Sequence, residues 1–418
     1  MPLLSRRTFI GSTLAGLAAA PLLGAEPVAA PLPKVRDNPA FQPDKLFLTW
    51  QRDPTTTMTV QWIGTVGETA DTNVYYTDNV EGTWLGQATA TKPYPRTDFK
   101  VFRNELTDLK PGTRYAFRIG TDSPVYWFQT MPAKATDTIT FVSGGDCGID
   151  QHAINNNIQA AKQDPMFAFI GGDLGYDNGR SVEVSLAFIR NYSKHMIGRD
   201  GRLIPMLACL GNHEVDGGYS DSREKATFFY PLFDGLYTDT GYATLDFGDY
   251  LSLVVLDSGH TSPIEGAQAD WLEAQLKERK DHPHVISAYH VPSYPSHRNF
   301  VGANGEDGTG SASRRAWVPL FEKYRVPAVL EHHDHTFKRT KPLLNGLAHD
   351  NGVLYLGDGS WGKLRIPKTP EELPYLARSN GSYHMSLHRM EGDQRFHLAL
   401  DEFGRVMDVC RTGQRTSV

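Results

Sequence analysis

The sequence predicts an all-β sandwich followed by a layered α/β domain, and three observations carry that prediction. Short runs of alternating aromatic and β-branched residues crowd the segment from Phe41 to Pro132. Beyond residue 136 the pattern changes to apolar strands that alternate with amphipathic helices. Several of those later strands end on Asp, Asn or His, and ligands of α/β sheets collect outside the carboxyl ends of the strands. With 418 residues, 40% of them hydrophobic, the chain can hold one large domain and a smaller one.

The first residues are expected to lie outside the fold. Ser5–Ile10 reads SRRTFI and leads into GSTLAGLAAAPLLGA, a charged start, a short apolar run and a small-residue exit. The paired Arg6 and Arg7 resemble a twin-arginine signal, which implies export of a folded chain to the periplasm or the medium. Residues 1–30 are assigned to this signal, with cleavage between Ala25 and Ala30. The apolar run is shorter than the ~20 residues a spanning helix needs, so no stable transmembrane anchor is expected after removal. Residues 31–40 follow as a Pro-rich linker.

Within 41–132 the strand-like runs are LFLTW, TMTVQWIG, TNVYYT, YAFRIG and VYWFQT, separated by turn signals. The segment LKPGTRY, Leu109 to Tyr115, resembles the tyrosine corner of fibronectin type III domains, which marks the sandwich as fibronectin III-like. This domain is expected to be a scaffold without chemistry. In 136–418, TITFVSGGD, MFAFIGGD and LIPMLACLGNHE read as strands, with helices at AINNNIQAAKQ and VEVSLAFIRNYSKHM. YATLDF and LSLVVLDS form an expected antiparallel pair. The helix AQADWLEAQLKERK, the strand HVISAYH, a helix at RRAWVPLFEKY and the strand PAVLEHHDH follow.

Composition excludes several functions. The formal net charge is −6 and no long basic block occurs, so no nucleic-acid partner is expected. Cys147, Cys209 and Cys410 give neither a disulfide framework nor a CxxC zinc site. A metal in this chain must therefore be held by oxygen and nitrogen. Five strands end in such donors: Asp146, Asp173 with Tyr176, Asn212, His290, and His333 with His335. Oxygen donors mixed with imidazoles suit iron, zinc or manganese rather than calcium. Seven ligands are too many for one tetrahedral ion, but two ions about 3.5–4 Å apart with a shared carboxylate would use them all.

The blocks GDCG, GGDLGY, GNHE, AYH and HHDH are similar, in this order, to those of the calcineurin-like metallophosphoesterases. The Tyr three places after Asp173 points to the purple acid phosphatases among them. The resemblance covers nearly the whole mature chain and implies an α/β/β/α catalytic domain behind the sandwich. It implies that Asp146, Tyr176 and His335 hold Fe(III), and that Asp173 bridges to a divalent Zn, Mn or Fe completed by Asn212, His290 and His333. The implied activity is hydrolysis of a small phosphate monoester by a metal-bound hydroxide; the alternative is a phosphodiesterase or nucleotidase on the same core. His213 is the first candidate for the proton donor to the leaving group and His297 the second, while Glu214 is expected to orient a neighbouring histidine. A non-catalytic binding protein is disfavoured because every expected ligand type is present.

Two positions depart from the family pattern. His332 stands where a glycine usually precedes the His-x-His pair, so either His332–Asp334 or His333–His335 could face the site; the latter keeps the spacing. Ser287 replaces an apolar residue three places before His290. His152, His260, His282, His284, His349, His384 and His388 are assigned to surface or packing. GDGSWG, residues 357 to 362, is expected to be a tight turn beneath the site.

Overall fold

In the N-terminal third, period-two alternation produces two antiparallel sheets that bury their apolar faces against each other. The computed structural model describes residues 28–30, 39–135, 138–302 and 305–413. The expected export signal lies outside these residues apart from Val28–Ala30, which pair as an edge strand with Trp84–Gln87. One sheet runs Leu46–Thr49, Met58–Gly64, Lys100–Leu106, Ala90–Pro93; the other contains Trp84–Gln87, Val74–Thr77, Arg114–Ile119 and Tyr126–Gln129. Tyr115 turns its hydroxyl back on the chain and accepts a hydrogen bond from the Lys110 N–H at 2.9 Å.

Met58–Gly64 alternates apolar and polar residues, yet it is buried along its whole length. Trp62 stacks on Phe102, ring centroids 4.9 Å apart, on one face. The opposite face docks on the second domain, where the Gln61 side-chain amide donates to the Leu232 carbonyl at 3.1 Å. Trp50 meets both Phe167 and Phe247 edge-on, at 6.0 and 5.9 Å. Arg103 pairs with Asp234 at 2.6 Å, and Tyr94 with Ser185 at 2.8 Å. One continuous apolar cluster therefore runs through both domains.

The second domain has two sheets in an α/β/β/α arrangement. The first is ordered Met206–Ala208, Phe167–Ile170, Ile139–Gly144, His384–Glu391, Gln394–Asp401, Val406–Thr412, with its first three strands parallel. The second is ordered Ala243–Phe247, Leu251–Val255, His284–Ala288, Ala328–Glu331, Leu354–Asp358, Phe337–Thr340, Leu376–Asn380. Gln151–Lys162 and Val182–His195 are the helices of the first layer; Asp150 and Ser181 cap them by accepting from Ala153 N and Val184 N. Parallel register aligns Gly144 with Ile170 and Ile170 with Ala208, so the Asp146, Asp173 and Asn212 turns leave the sheet at one edge.

One expected helix is two. RRAWVPLFEKY divides into Ser311–Ala316 and Val318–Lys323, with Trp317 as the shared cap residue. Pro319 has no N–H to donate to the Arg315 carbonyl, so the ladder breaks there. Among the described residues no helix is long and apolar enough to cross a membrane. Because Trp50 is 1% exposed and wedged between the domains, Trp50→Ala should cost about 3–5 kcal/mol. Denaturant melts should show sandwich and second domain still unfolding in a single transition, since they share one apolar cluster.

Candidate metal centre

Three of the five strand ends deliver their donors through turns that L-residues rarely adopt. Asp146, Asp173, Tyr176, His333 and His335 have φ of 57°, 53°, 67°, 73° and 58°, so five of the seven expected ligands occupy the left-handed region. Such conformations cost roughly 1–3 kcal/mol each and persist only where the surroundings enforce them. Here pairing of the parallel strands continues into the turns. Asp146 N donates to Gly172 O at 3.0 Å, Cys147 N to Asp173 O at 2.9 Å and Gly148 N to Leu174 O at 2.8 Å. Gly172, at φ +85°, lies so close to the Asn212 turn that a Cβ there would stand 2.6 Å from the Gly211 nitrogen.

The donors fall into two groups. Asp146 Oδ1, Tyr176 Oη and His335 Nε2 form a triangle with sides of 3.2, 2.9 and 3.0 Å. Around His290 Nε2 gather Asn212 Oδ1 at 3.2 Å, His333 Nδ1 at 3.0 Å and Asp173 Oδ2 at 3.3 Å. Separations near 3 Å are the edges of a coordination shell with bonds of about 2.0–2.2 Å. Atoms from Asp146, Asp173, His290 and His333 all lie within 4.8 Å of one another, so the two groups adjoin. Each carboxylate spends one oxygen on backbone and turns the other inward. Asp146 Oδ2 accepts from His333 N at 2.7 Å, and Asp173 Oδ1 accepts from His213 N at 2.8 Å.

The residues present fit a pair of metal ions. Asp173 is 1% exposed, and its Oδ2 has no hydrogen-bond partner although it faces the site. His290 donates from Nδ1 to the Gly171 carbonyl at 2.8 Å, which aims the Nε2 lone pair at the other donors. Without a cation the cluster balances its charge by holding protons. Burial alone would depress His290, yet Asp173 and Asp146 hold it up to about 9. Burial would raise Asp173, but His290, His213 and His333 keep its carboxyl well below the usual range. Burial and the charges of Asp146 and Asp173 push the Tyr176 phenol far up. A multivalent cation reverses that last balance, because it attracts the phenolate that the carboxylates repel.

Residues 43–130 match the purple acid phosphatase N-terminal domain, and residues 120–337, just over half of the chain, match the calcineurin-like phosphoesterases. The chain belongs to the calcineurin-like phosphoesterases. It is similar to purple acid phosphatases 21 and 22 of Arabidopsis thaliana, each 26% identical, over 71% and 75% of this chain and 67% and 71% of theirs. Among solved structures it is similar to the purple acid phosphatase PPD1 from yellow lupin (Lupinus luteus) seeds, with a TM-score of 0.72 and 16% identity. That likeness covers 88% of this chain and 73% of the lupin chain, and it shows the fold. The chain is thus a hydrolase of purple acid phosphatase type, built as a β-sandwich followed by the metallophosphoesterase domain.

In this metallophosphoesterase His333 and His335 face the donors, while His332 does not. His332 has no positive φ, so the position does not require glycine. Its ring instead lies against Gly171 and Gly145, where a Cβ would stand 2.0 and 2.8 Å from it, and its Nδ1 meets the Tyr289 carbonyl at 2.9 Å. Asp334 points the other way and accepts from the amides of Ser296 and His297. The expectation for Glu214 is corrected. Its buried carboxylate binds no imidazole but accepts from Asp173 N at 2.8 Å, Leu174 N at 2.7 Å and Gly211 N at 2.8 Å. It is the brace that clamps the Asp173 turn to the Asn212 turn. Burial, with the charges of Asp173 and Asp177, pushes it up to about 8.

His213 packs against Tyr176 with ring centroids 4.2 Å apart and planes tilted by 36°, and its Nε2 is 3.9 Å from Asp173 Oδ2. Its Nδ1 is tied to Asn178 Oδ1, a partner that sequence reasoning missed. His297 makes no side-chain hydrogen bond to the seven donors among the described residues; its Nδ1 meets the Ile366 carbonyl at 2.8 Å. Two further residues were missed. The Tyr219 hydroxyl lies 3.2 Å from His333 Nε2 and 3.4 Å from Asn212 Oδ1. His260, assigned to packing, is buried with its ring centroid 5.6 Å from His290, and its Nδ1 meets the Gly218 carbonyl at 2.9 Å, beside Tyr219. An Asn-Gly turn signal marks Asn178, but nothing local in the sequence marks Tyr219. Residues 357–362 do underlie the site: Trp361 N donates to Gly145 O at 3.1 Å and Gly362 N to Asp146 O at 3.1 Å.

Removing the brace strands three buried amides at roughly 1–3 kcal/mol each. Glu214→Ala should therefore retain less than half of the metal held by the wild type, measured by elemental analysis after gel filtration. Far-ultraviolet circular dichroism should stay unchanged.

Proposed function

We propose that the protein hydrolyses phosphate monoesters at a dinuclear Fe(III)–M(II) centre, with Asp146, Tyr176 and His335 holding the iron. Asn212, His290 and His333 would hold the divalent ion, Zn, Mn or Fe, and Asp173 would be shared between the two. The observation that carries this reading is the Tyr176 hydroxyl set 3.2 Å from Asp146 Oδ1 and 2.9 Å from His335 Nε2, where a phenolate would complete a hard, anionic donor set. When bound, such a pair supplies an acidified water as nucleophile and neutralises charge on the phosphoryl oxygens.

The chain's own residues supply position and a proton. Asn178 fixes His213 through Nδ1, so Nε2 is the nitrogen on the side of Asp173. In this reading His213, protonated at both nitrogens, gives the Nε2 proton to the departing alkoxide and is left neutral with Nδ1–H on Asn178, and the tilted Tyr176 ring beside it keeps the imidazole in place. The donors Asp146, His290 and His333 are themselves buried, so bulk water has little access to them. No step is assigned to His297. Export by the twin-arginine route belongs to the same reading, because Arg6 and Arg7 head a short apolar run and a folded chain can carry its metals with it.

Three measurements test this. Metal-loaded protein should absorb visible light, and Tyr176→Phe should abolish the band while leaving the fold intact. A monoester should be turned over faster than a diester of the same phenol; the reverse order would make the enzyme a diesterase. His213→Ala should lower kcat by about 10²–10⁴-fold with metal content unchanged.

A further inference from the structure

His297 and Arg298 are neighbours on the loop that follows the His290 strand, but they turn in different directions. The loop is fastened to the metal-ligand loop by Asp334, whose Oδ2 accepts from Ser296 N at 2.5 Å and from His297 N at 2.9 Å. From that anchor His297 reaches away to the Ile366 carbonyl. Arg298 folds back over His333 and donates from Nη2 to the His333 carbonyl at 3.0 Å. Its Nε is 3.4 Å from Asp334 Oδ1, close but not aligned for a hydrogen bond. Lys368 Nζ holds the same residue's backbone by donating to the Arg298 carbonyl at 3.2 Å.

A long cationic side chain on a loop gains most by extending into water. This one is only 24% exposed, and among the described residues its contacts run through Nε and Nη2 and not Nη1. The His333 carbonyl that it holds belongs to the divalent half of the site, where the Tyr219 hydroxyl lies 3.2 Å from His333 Nε2.

We propose that Arg298, and not His297, grips the phosphoryl oxygens of the substrate beside Asn212, His290 and His333. The proposal rests on the phosphate-ester reading of the site and names the residue that recognises the anion. A guanidinium is charged at every working pH and presents a planar fork that matches two phosphate oxygens, whereas an imidazole offers one N–H and only when protonated for a second. Asp334 Oδ1, 3.4 Å from Arg298 Nε, orients the fork, while Oδ2 is committed to the loop amides.

The test uses metal-reconstituted full-length protein and inorganic phosphate, titrated calorimetrically, alongside metal analysis. Arg298→Met should bind phosphate roughly 10- to 100-fold more weakly at unchanged metal content. Arg298→Lys, which keeps the charge and loses the fork, should fall between the two. Phosphate affinity within twofold of wild type in both variants would overturn the assignment. Loss of metal, with unchanged phosphate affinity per loaded site, would also overturn it and leave Arg298 as a bracket for His333. A wild type that binds phosphate through Arg298 yet hydrolyses no ester would overturn the phosphatase reading and leave this assignment standing.

Discussion

Two carboxylates forced into one dry pocket repel each other unless positive charge is placed between or around them. Asp146 and Asp173 are 0% and 1% exposed and stand on adjacent parallel strands whose pairing runs on into their turns. The imidazoles of His290, His333 and His335 and the phenol of Tyr176 are arranged about that anionic pair. In the bare protein the compensating charge is a proton on His290. Asp173 Oδ2 lies 3.3 Å from His290 Nε2 without an aligned hydrogen bond, so the pocket is left with an inward-facing oxygen. Cations satisfy the pocket, because they reward both carboxylates and the neutral imidazoles together.

Holding that arrangement requires backbone shapes that the chain would not choose unaided. The left-handed turns at Asp146, Asp173, Tyr176, His333 and His335 are enforced from outside the turns themselves. Glu214 ties the second turn to the third, Asp146 Oδ2 holds the His333 amide, and the Trp361 segment pins Gly145 and Asp146 from below. The sandwich reinforces this base. Trp50 packs on Phe167, which lies on the strand that carries Asp173, so the N-terminal domain supports the site without contributing a donor to it.

The donors were legible in the sequence because each follows an apolar run, and such runs fix which end of a sheet a residue reaches. The antiparallel pair 243–255 was legible for the same reason. What escaped was set by contacts between segments distant in sequence. Glu214 sits beside a histidine in the chain, yet its partners are amides some 40 residues earlier. Asn178, Tyr219, Asp334 and Arg298 acquire meaning only when loops from different strands meet. The helix expected at RRAWVPLFEKY is divided next to Pro319, a residue whose missing N–H is visible in the sequence itself.

The seating of His332 against Gly171 and Gly145 makes three residues from three separate blocks a single unit of inheritance. A bulky imidazole can replace the customary small residue before the His-x-His pair because two bare backbones vacate the space for it. Exchanging the HHDH block, or either glycine-bearing turn, with a distant cousin would therefore produce either a collision or a void. Chimeras in this lineage are viable only when all three travel together.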